Sequence, residues 1–302
     1  MLNNQYIHEM TELDFSINKG FTNFGNTCFY NATLQSIFKC PNLITTIKTY
    51  TGTNQLLRYL KTTIDDYYVK ENVETIGPVL LLKSYRQMNK SYIGGSQSDG
   101  EECLTYFLDN FDMATKSEGL NISNLFDCKL VSKLECPLCN YSKEDNAPEK
   151  LITLPIKDFN NFTDAFNNFL STEILSDDNK WGCENCKEKV SAKKKLIIRS
   201  TPQYLFIALK RFEHEWIKER NAIKTSKITN NILMPDQITI NDKLYNLKGS
   251  IHHMGGLNSG HYIYYHKFND SWTVFNDEEI RANVRNVDEI INNGYIYLYE
   301  LT

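Results

Sequence analysis

Two kinds of hydrophobic spacing divide the chain. In the first half, apolar residues recur at helical intervals. Leu104, Phe107, Leu108 and Phe111 fall at i, i+3, i+4 and i+7, which predicts an amphipathic helix starting near Ser98 or Asp99 with Glu101 and Glu102 in its first turn. A second helical stretch covers residues 25–40 and carries Phe29, Ala32 and Phe38. Asn26 and Thr27 are its candidate N-caps and Pro41 its stop. The second half changes period. Residues 195–199, 203–212, 245–254, 261–268, 271–276 and 295–301 are short, rich in β-branched and aromatic side chains, and separated by Gly, Asn and Asp. Helices followed by strands predict an α+β protein with a cleft between its two parts. Residues 134–189 are polar and read as an excursion from that body.

Composition narrows the field. At 302 residues with 41% apolar and 12% aromatic content, the chain can build a large core, and it carries no internal repeat. A net charge of -4 argues against a broad basic surface for nucleic acid; the run Lys193-Lys194-Lys195 reads as a solvated strand edge. No stretch approaches the roughly 18 consecutive apolar residues of a membrane span, and residues 1–20 lack the apolar region of a secretory signal. The expectation is a protein of the cytoplasm or nucleus. Of eight cysteines, four form two C-x-x-C pairs and Cys28, Cys40, Cys103 and Cys128 are scattered, a pattern that suits metal ligands and free thiols better than disulfides.

Cys28 opens the predicted helix after Gly25-Asn26-Thr27. A lone cysteine there is usually a small buried hydrophobe, but the unpaired N–H groups of a first turn also stabilise a thiolate. The matching base is His261, which leaves a glycine-rich loop (Gly255-Gly256-Leu257-Asn258-Ser259-Gly260) to open a strand. Asn269-Asp270 can turn that strand into the next. If Phe268 pairs with Ser271, Asn276 lies diagonally across from His261 on the same face, whereas Asp277 points away. Asn276 is therefore the better orienter of the imidazole and Asp277 the alternative; a register slip would exchange them. His8, His214, His252, His253 and His266 lack such a setting and are expected to be structural.

These segments resemble the ubiquitin-specific proteases, papain-like deubiquitinating enzymes. Gly20-Phe21-Thr22-Asn23-Phe24-Gly25-Asn26-Thr27-Cys28-Phe29-Tyr30-Asn31-Ala32-Thr33-Leu34-Gln35 matches the family's cysteine box, with Phe21 where the box has Leu. Gly260-His261-Tyr262, with Trp272 and Phe275-Asn276-Asp277 downstream, matches its histidine box. Gln97-Ser98-Asp99-Gly100-Glu101-Glu102 is similar to a third signature, with Gly100 in place of Ala, and Leu209-Lys210-Arg211-Phe212 and residues 295–299 to two others.

The resemblance implies a papain-like α+β fold: a tail over residues 1–19, then one catalytic domain over 20–302. Within it a helical thumb spans about 20–125, zinc-ribbon β fingers about 126–195 and an antiparallel β palm about 196–302. It implies Cys28 as nucleophile, His261 as general base and then acid, Asn276 as third member and Asn23 as oxyanion donor. Asp99 and Glu102 would receive the arginines of the ubiquitin tail, though acids in a first turn also simply stabilise a helix. The expected partners are ubiquitin and its conjugates, with no nucleic acid, no membrane and a monomeric state.

Cys136-Pro137-Leu138-Cys139 and Cys183-Glu184-Asn185-Cys186 each present two thiolates from a tight turn. Together they can close a tetrahedral site around one Zn²⁺ per chain, and with all four positions taken the ion would be structural. The rival readings are a catalytically dead ubiquitin-binding relative, a protease for another ubiquitin-like modifier and, more remotely, a zinc-ribbon nucleic-acid binder.

Overall fold

The stretch beginning at Cys28 forms α1 (Cys28–Phe38), a helix buried on every side. Four of its polar residues are also buried, and each finds a partner, as burial requires. Asn31 donates to the carbonyl of Phe21, Gln35 donates to the carbonyl of Lys19 and accepts from Tyr67, and Thr33 and Ser36 bond to backbone carbonyls. Pro41 does not merely stop the run. It is the first residue of α2 (Pro41–Lys48), where its missing N–H costs nothing. Next come α3 (Gln55–Tyr68), α4 (Val79–Met88), α5 (Gly100–Ser117) and the short α6 (Ser123–Phe126), which complete the thumb. The computed structural model describes residues 13–90, 92, 95–217, 221–256, 259–285 and 287–302. The expected tail up to residue 12 with His8, Leu257 and Asn258 of the glycine loop, and the side chain of His214 lie outside the described residues.

Short β1 (Gly20–Phe21) pairs in parallel with β2 (Thr75–Ile76) at the thumb's edge. β3 (Cys128–Glu135) and β4 (Ser142–Glu149) then leave as a hairpin. Within the span expected to be fingers, β5 (Leu151–Pro155) turns back into the palm, and α7 (Phe162–Phe169) packs with it. The chain goes out again through β6 (Glu173–Leu175), the ribbon β7 (Trp181–Gly182) with β8 (Lys189–Val190), and β9 (Ala192–Ser200). The finger sheet has the order β4-β3-β9-β6.

The palm is built from β10 (Tyr204–Lys210), β13 (Gln237–Ile240), β14 (Lys243–Gly255), β15 (Gly260–Phe268), β16 (Ser271–Asn276), β17 (Glu279–Val284) and β18 (Ile296–Leu301). A separate ribbon, β11 (Phe212–Ile217) with β12 (Ala222–Lys227), rises beside it. The palm order is β17-β16-β15-β14-β18-β10-β5, with β13 on β14. All its pairs are antiparallel except β10 with β5, where the excursion between them is long enough for a parallel crossover.

Both faces of the palm are buried. Along β10, Tyr204, Phe206 and Ala208 join the core shared with the thumb, while Leu205, Ile207 and Leu209 join a second core. That second core is covered by α7 and by α8 (Val287–Ile291). Two-sided burial explains why β10 reads as a nearly continuous apolar run. Among the described residues, no helix is long and apolar enough to cross a membrane.

Candidate active site

The chain reaches α1 through two successive left-handed residues, Gly25 (φ 84°) and Asn26 (φ 54°). Thr27 occupies the N-cap position but makes no side-chain cap bond. Its hydroxyl instead accepts from the Phe24 N–H and donates to Asn23 Oδ1. No side chain of the cap therefore covers the first-turn N–H groups beside Cys28.

The Cys28 thiol is 2% exposed. Burial pushes it above its ordinary pKa, and the Asp277 carboxylate adds to this. The backbone N–H groups of Tyr262, Phe29 and Cys28 itself work the other way without winning. The helix start thus does not by itself bring the thiol below its ordinary pKa. Tyr262, which packs in the same core as Cys28, follows His261 in β15, so that strand brings the imidazole to the helix start.

The hairpin register is the one its turn residues suggest. Phe268 pairs with Ser271, and the pairing continues to Tyr264 with Phe275. Asn269 (φ 46°) and Asp270 (φ 60°) form the two-residue turn that the twist of a hairpin favours. Asn276 consequently meets His261, with 2.5 Å between its Oδ1 and the ring Nε2. Since a carboxamide oxygen only accepts, Nε2 carries the proton and Nδ1 is left as the basic nitrogen.

Asp277 faces the other way. At φ 53° it places Oδ1 to accept from Asn31 Nδ2 and Oδ2 to accept from Asn23 Nδ2, both at 2.7 Å. Its backbone oxygen takes the Phe21 N–H, and Glu278 takes the Asn23 N–H at 2.7 Å. One of the two Asn23 amide hydrogens is therefore spent on Asp277, and its oxygen accepts from Gly25 and Thr27.

A groove of about 1020 Å³ runs between thumb and palm, lined by Gln97, Asp99, Glu101, Phe212, Tyr262 and Tyr295 among others. Asp99 caps α5 through the Glu101 and Glu102 N–H groups and also accepts from the hydroxyls of Tyr262 and Tyr295. Glu102 does not line this groove; it borders a neighbouring recess with Thr105, Tyr106 and Asp109. Glu101 does line it, accepting from Thr153 and Tyr295. Sequence reasoning passed over Glu101, whose only signal was its place in the same acidic turn. Gly100 is also explained: a Cβ there would lie 2.9 Å from the Tyr262 ring.

His252, His253 and His266 have partners in Ser250, Lys227 and Tyr264. Burial drives all three well below the usual histidine pKa, to about 3, about 4 and about 3. All three are therefore neutral, and His253 also lines the groove.

In the fingers the four paired cysteines converge, with every sulfur within 4.8 Å of the others. Both turns are built alike. The Cys136 and Cys183 N–H groups bond to the carbonyls of Tyr141 and Glu188, and their own carbonyls accept from Asn140 and Lys187, both left-handed. Sulfur atoms about 2.3 Å from a tetrahedral ion stand about 3.8 Å apart. Cys136 to Cys186 and Cys139 to Cys183 each measure 3.7 Å, so the donor set fits a metal ion and is too wide for disulfides.

The sequence profile described as "Ubiquitin carboxyl-terminal hydrolase" matches residues 19–299. The chain belongs to that family. A probable ubiquitin carboxyl-terminal hydrolase 4 of Schizosaccharomyces pombe is 26% identical over 93% of this chain and 58% of its own length. The ubiquitin carboxyl-terminal hydrolase Usp2 of Drosophila melanogaster is 26% identical over 94% of this chain and 35% of its own. The chain thus spans between a third and three-fifths of these two relatives. Among solved structures, the SAGA Ubp8/Sgf11/Sus1/Sgf73 DUB module bound to ubiquitin aldehyde matches with a TM-score of 0.78 and 24% identity. It covers 94% of this chain and 69% of that one. A second structure of that module, bound to monoubiquitin, gives a TM-score of 0.79 over the same shares. The likeness supports the thumb, palm and fingers arrangement of this ubiquitin carboxyl-terminal hydrolase family member.

Proposed function

We propose that the chain is a deubiquitinating thiol hydrolase that cleaves the peptide or isopeptide bond after the C-terminal glycine of ubiquitin. The observation carrying this reading is the His261–Asn276 bond, on the strand whose next residue, Tyr262, packs in one core with the buried Cys28. Family membership and the ubiquitin held in both structural relatives support the choice of substrate.

His261 Nδ1 takes the Cys28 proton, and the thiolate attacks the carbonyl carbon of the terminal glycine. Negative charge then grows on the carbonyl oxygen. It is met by first-turn N–H groups of α1 and by the second amide hydrogen of Asn23, which Asp277 leaves free. Collapse breaks the C–N bond as the imidazolium protonates the leaving amine. Water, deprotonated by the same imidazole, attacks the thioester and releases ubiquitin and the thiol. The groove's carboxylates at Asp99 and Glu101 suit the arginines of the ubiquitin tail.

In the fingers, Cys136, Cys139, Cys183 and Cys186 would hold one structural Zn²⁺. Buried Val190 and Ala192 give this region a core too small to stand alone. None of the eight cysteines is joined in a disulfide, which suits the reducing cytoplasm or nucleus.

The test is turnover of a fluorogenic ubiquitin C-terminal substrate together with a covalent ubiquitin probe. Activity lost in Cys28→Ala and in His261→Ala, with the probe mapped to Cys28, supports the enzyme. An inert native protein that still binds ubiquitin would make it a scaffold, and labelling only by another modifier's probe would change the substrate.

A further inference from the structure

One short stretch, residues 95–99, touches both loops that carry the proposed catalytic pair. At its start the Gly95 carbonyl accepts from Asn26 Nδ2 at 2.7 Å, two residues before Cys28. In its middle, the Gln97 carboxamide closes a ring with the backbone of Gly260. Nε2 donates to the Gly260 carbonyl at 2.8 Å, and Oε1 accepts from the Gly260 N–H at 3.1 Å. At its end, Asp99 accepts from the Tyr262 hydroxyl at 3.3 Å, and that hydroxyl accepts from the Gly100 N–H at 3.2 Å. The residues on both sides of His261 are thus fastened to the stretch that also holds the loop of Cys28.

The chemistry at position 97 is specific. A carboxamide carries a donor and an acceptor side by side, and so meets both groups of one peptide residue at once. Glutamate would keep the bond from the Gly260 N–H and set its charge against the Gly260 carbonyl; alanine keeps neither. Gly260 itself is pressed from the other side, since a Cβ there would come 1.9 Å from His253 Nε2. The far end of the loop is held by Lys227 Nζ, which donates to the Gly255 carbonyl at 2.8 Å.

We infer that Gln97 is a positioning residue that sets the separation of Cys28 from His261 through the Gly260 peptide, with residues 95–99 as the strut between the two loops. The inference rests on the proposed pairing of Cys28 with His261, and a substrate-free measurement keeps the two separable. The rate of iodoacetamide alkylation at Cys28, mapped by mass spectrometry, is followed against pH in the native protein, His261→Ala, Gln97→Ala and Gln97→Glu. Melting temperature and kcat and KM on the fluorogenic substrate are measured alongside.

The native protein should react near neutral pH in a phase that His261→Ala abolishes. Gln97→Ala and Gln97→Glu should lose that phase roughly 10- to 100-fold, with a matching fall in kcat, because misplacement of about 1 Å costs this much. KM and melting temperature should hold. A Gln97→Ala profile that overlays the native one overturns the inference, as does a rise in KM alone, which would make Gln97 a substrate contact. Coincident native and His261→Ala profiles remove the thiol–imidazole pairing itself.

Discussion

Asn23 Nδ2 donates to Asp277 Oδ2 at 2.7 Å across 254 residues of chain, so the carboxylate next to Asn276 serves the Cys28 side of the groove. The two neighbours have divided the work: Asn276 orients His261, and Asp277 holds Asn23 and Asn31. Asn23→Ala should lower kcat by about 10²–10³ with little change in KM, the range for loss of one oxyanion donor. Asp277→Ala should produce a smaller loss in kcat and also a lower melting temperature, because Asn31 on the buried helix loses its shortest hydrogen bond. Asn276→Ala should lower kcat while leaving the melting temperature unchanged. Steady-state kinetics beside calorimetry separate the three, and an inert Asp277→Ala result would remove the bridging role.

Gly100→Ala, a change to a good helix former inside α5, should still be harmful here. Its methyl would press on the Tyr262 ring at 2.9 Å, and overpacking of this kind costs about 1–3 kcal/mol. Urea unfolding reads the loss directly. Unchanged stability would mean that the ring yields without cost.

Glu101 and Glu102 offer a clean contrast within one turn. Glu101→Gln should raise KM for ubiquitin by about 10-fold or more, since a bond to a charged group contributes about 1.5–3 kcal/mol. Glu102→Gln, outside the main groove, should do much less. Equal effects would show that the tail runs over both recesses.

Acid should unfold the protein through its buried histidines. His252, His253 and His266 have folded pKa values of about 3, about 4 and about 3, against 6.5 when exposed. Between those values the unfolded chain binds protons that the fold refuses. Stability therefore falls as pH drops below 6.5, with a limiting slope of about 1.4 kcal/mol per pH unit for each of the buried His252 and His266 and less for the half-buried His253. His252→Asn should flatten the decline, measured as the urea midpoint from pH 7 to 4. A decline of native steepness in that variant would count against the assignment.

Metal removal should act on the fingers alone. Elemental analysis of protein purified without chelator should give one zinc per chain. Stripping the zinc, or Cys136→Ser, should raise KM for ubiquitin far more than it lowers kcat, because the cysteine cluster has a small core of its own, apart from the one that holds Cys28. Native zinc content in Cys136→Ser would exclude that thiol as a ligand.

What the sequence determined by itself was local. Period 3.6 marked α5, and its Asp99 cap lies where the spacing placed it. Asn269-Asp270 fixed the hairpin register, and with it the meeting of His261 and Asn276. The cysteine spacing fixed two matching turns. These features depend on neighbours a few residues apart, or on a turn that admits one register. Tertiary structure decided the rest: the return of β5 to the palm, the allegiance of Asp277, the inward face of Glu101, and the bond of Gln97 to Gly260 across 163 residues. Each is set by how the thumb lies on the palm. Such a packing leaves no period in the chain, because the partners it joins are strangers in sequence.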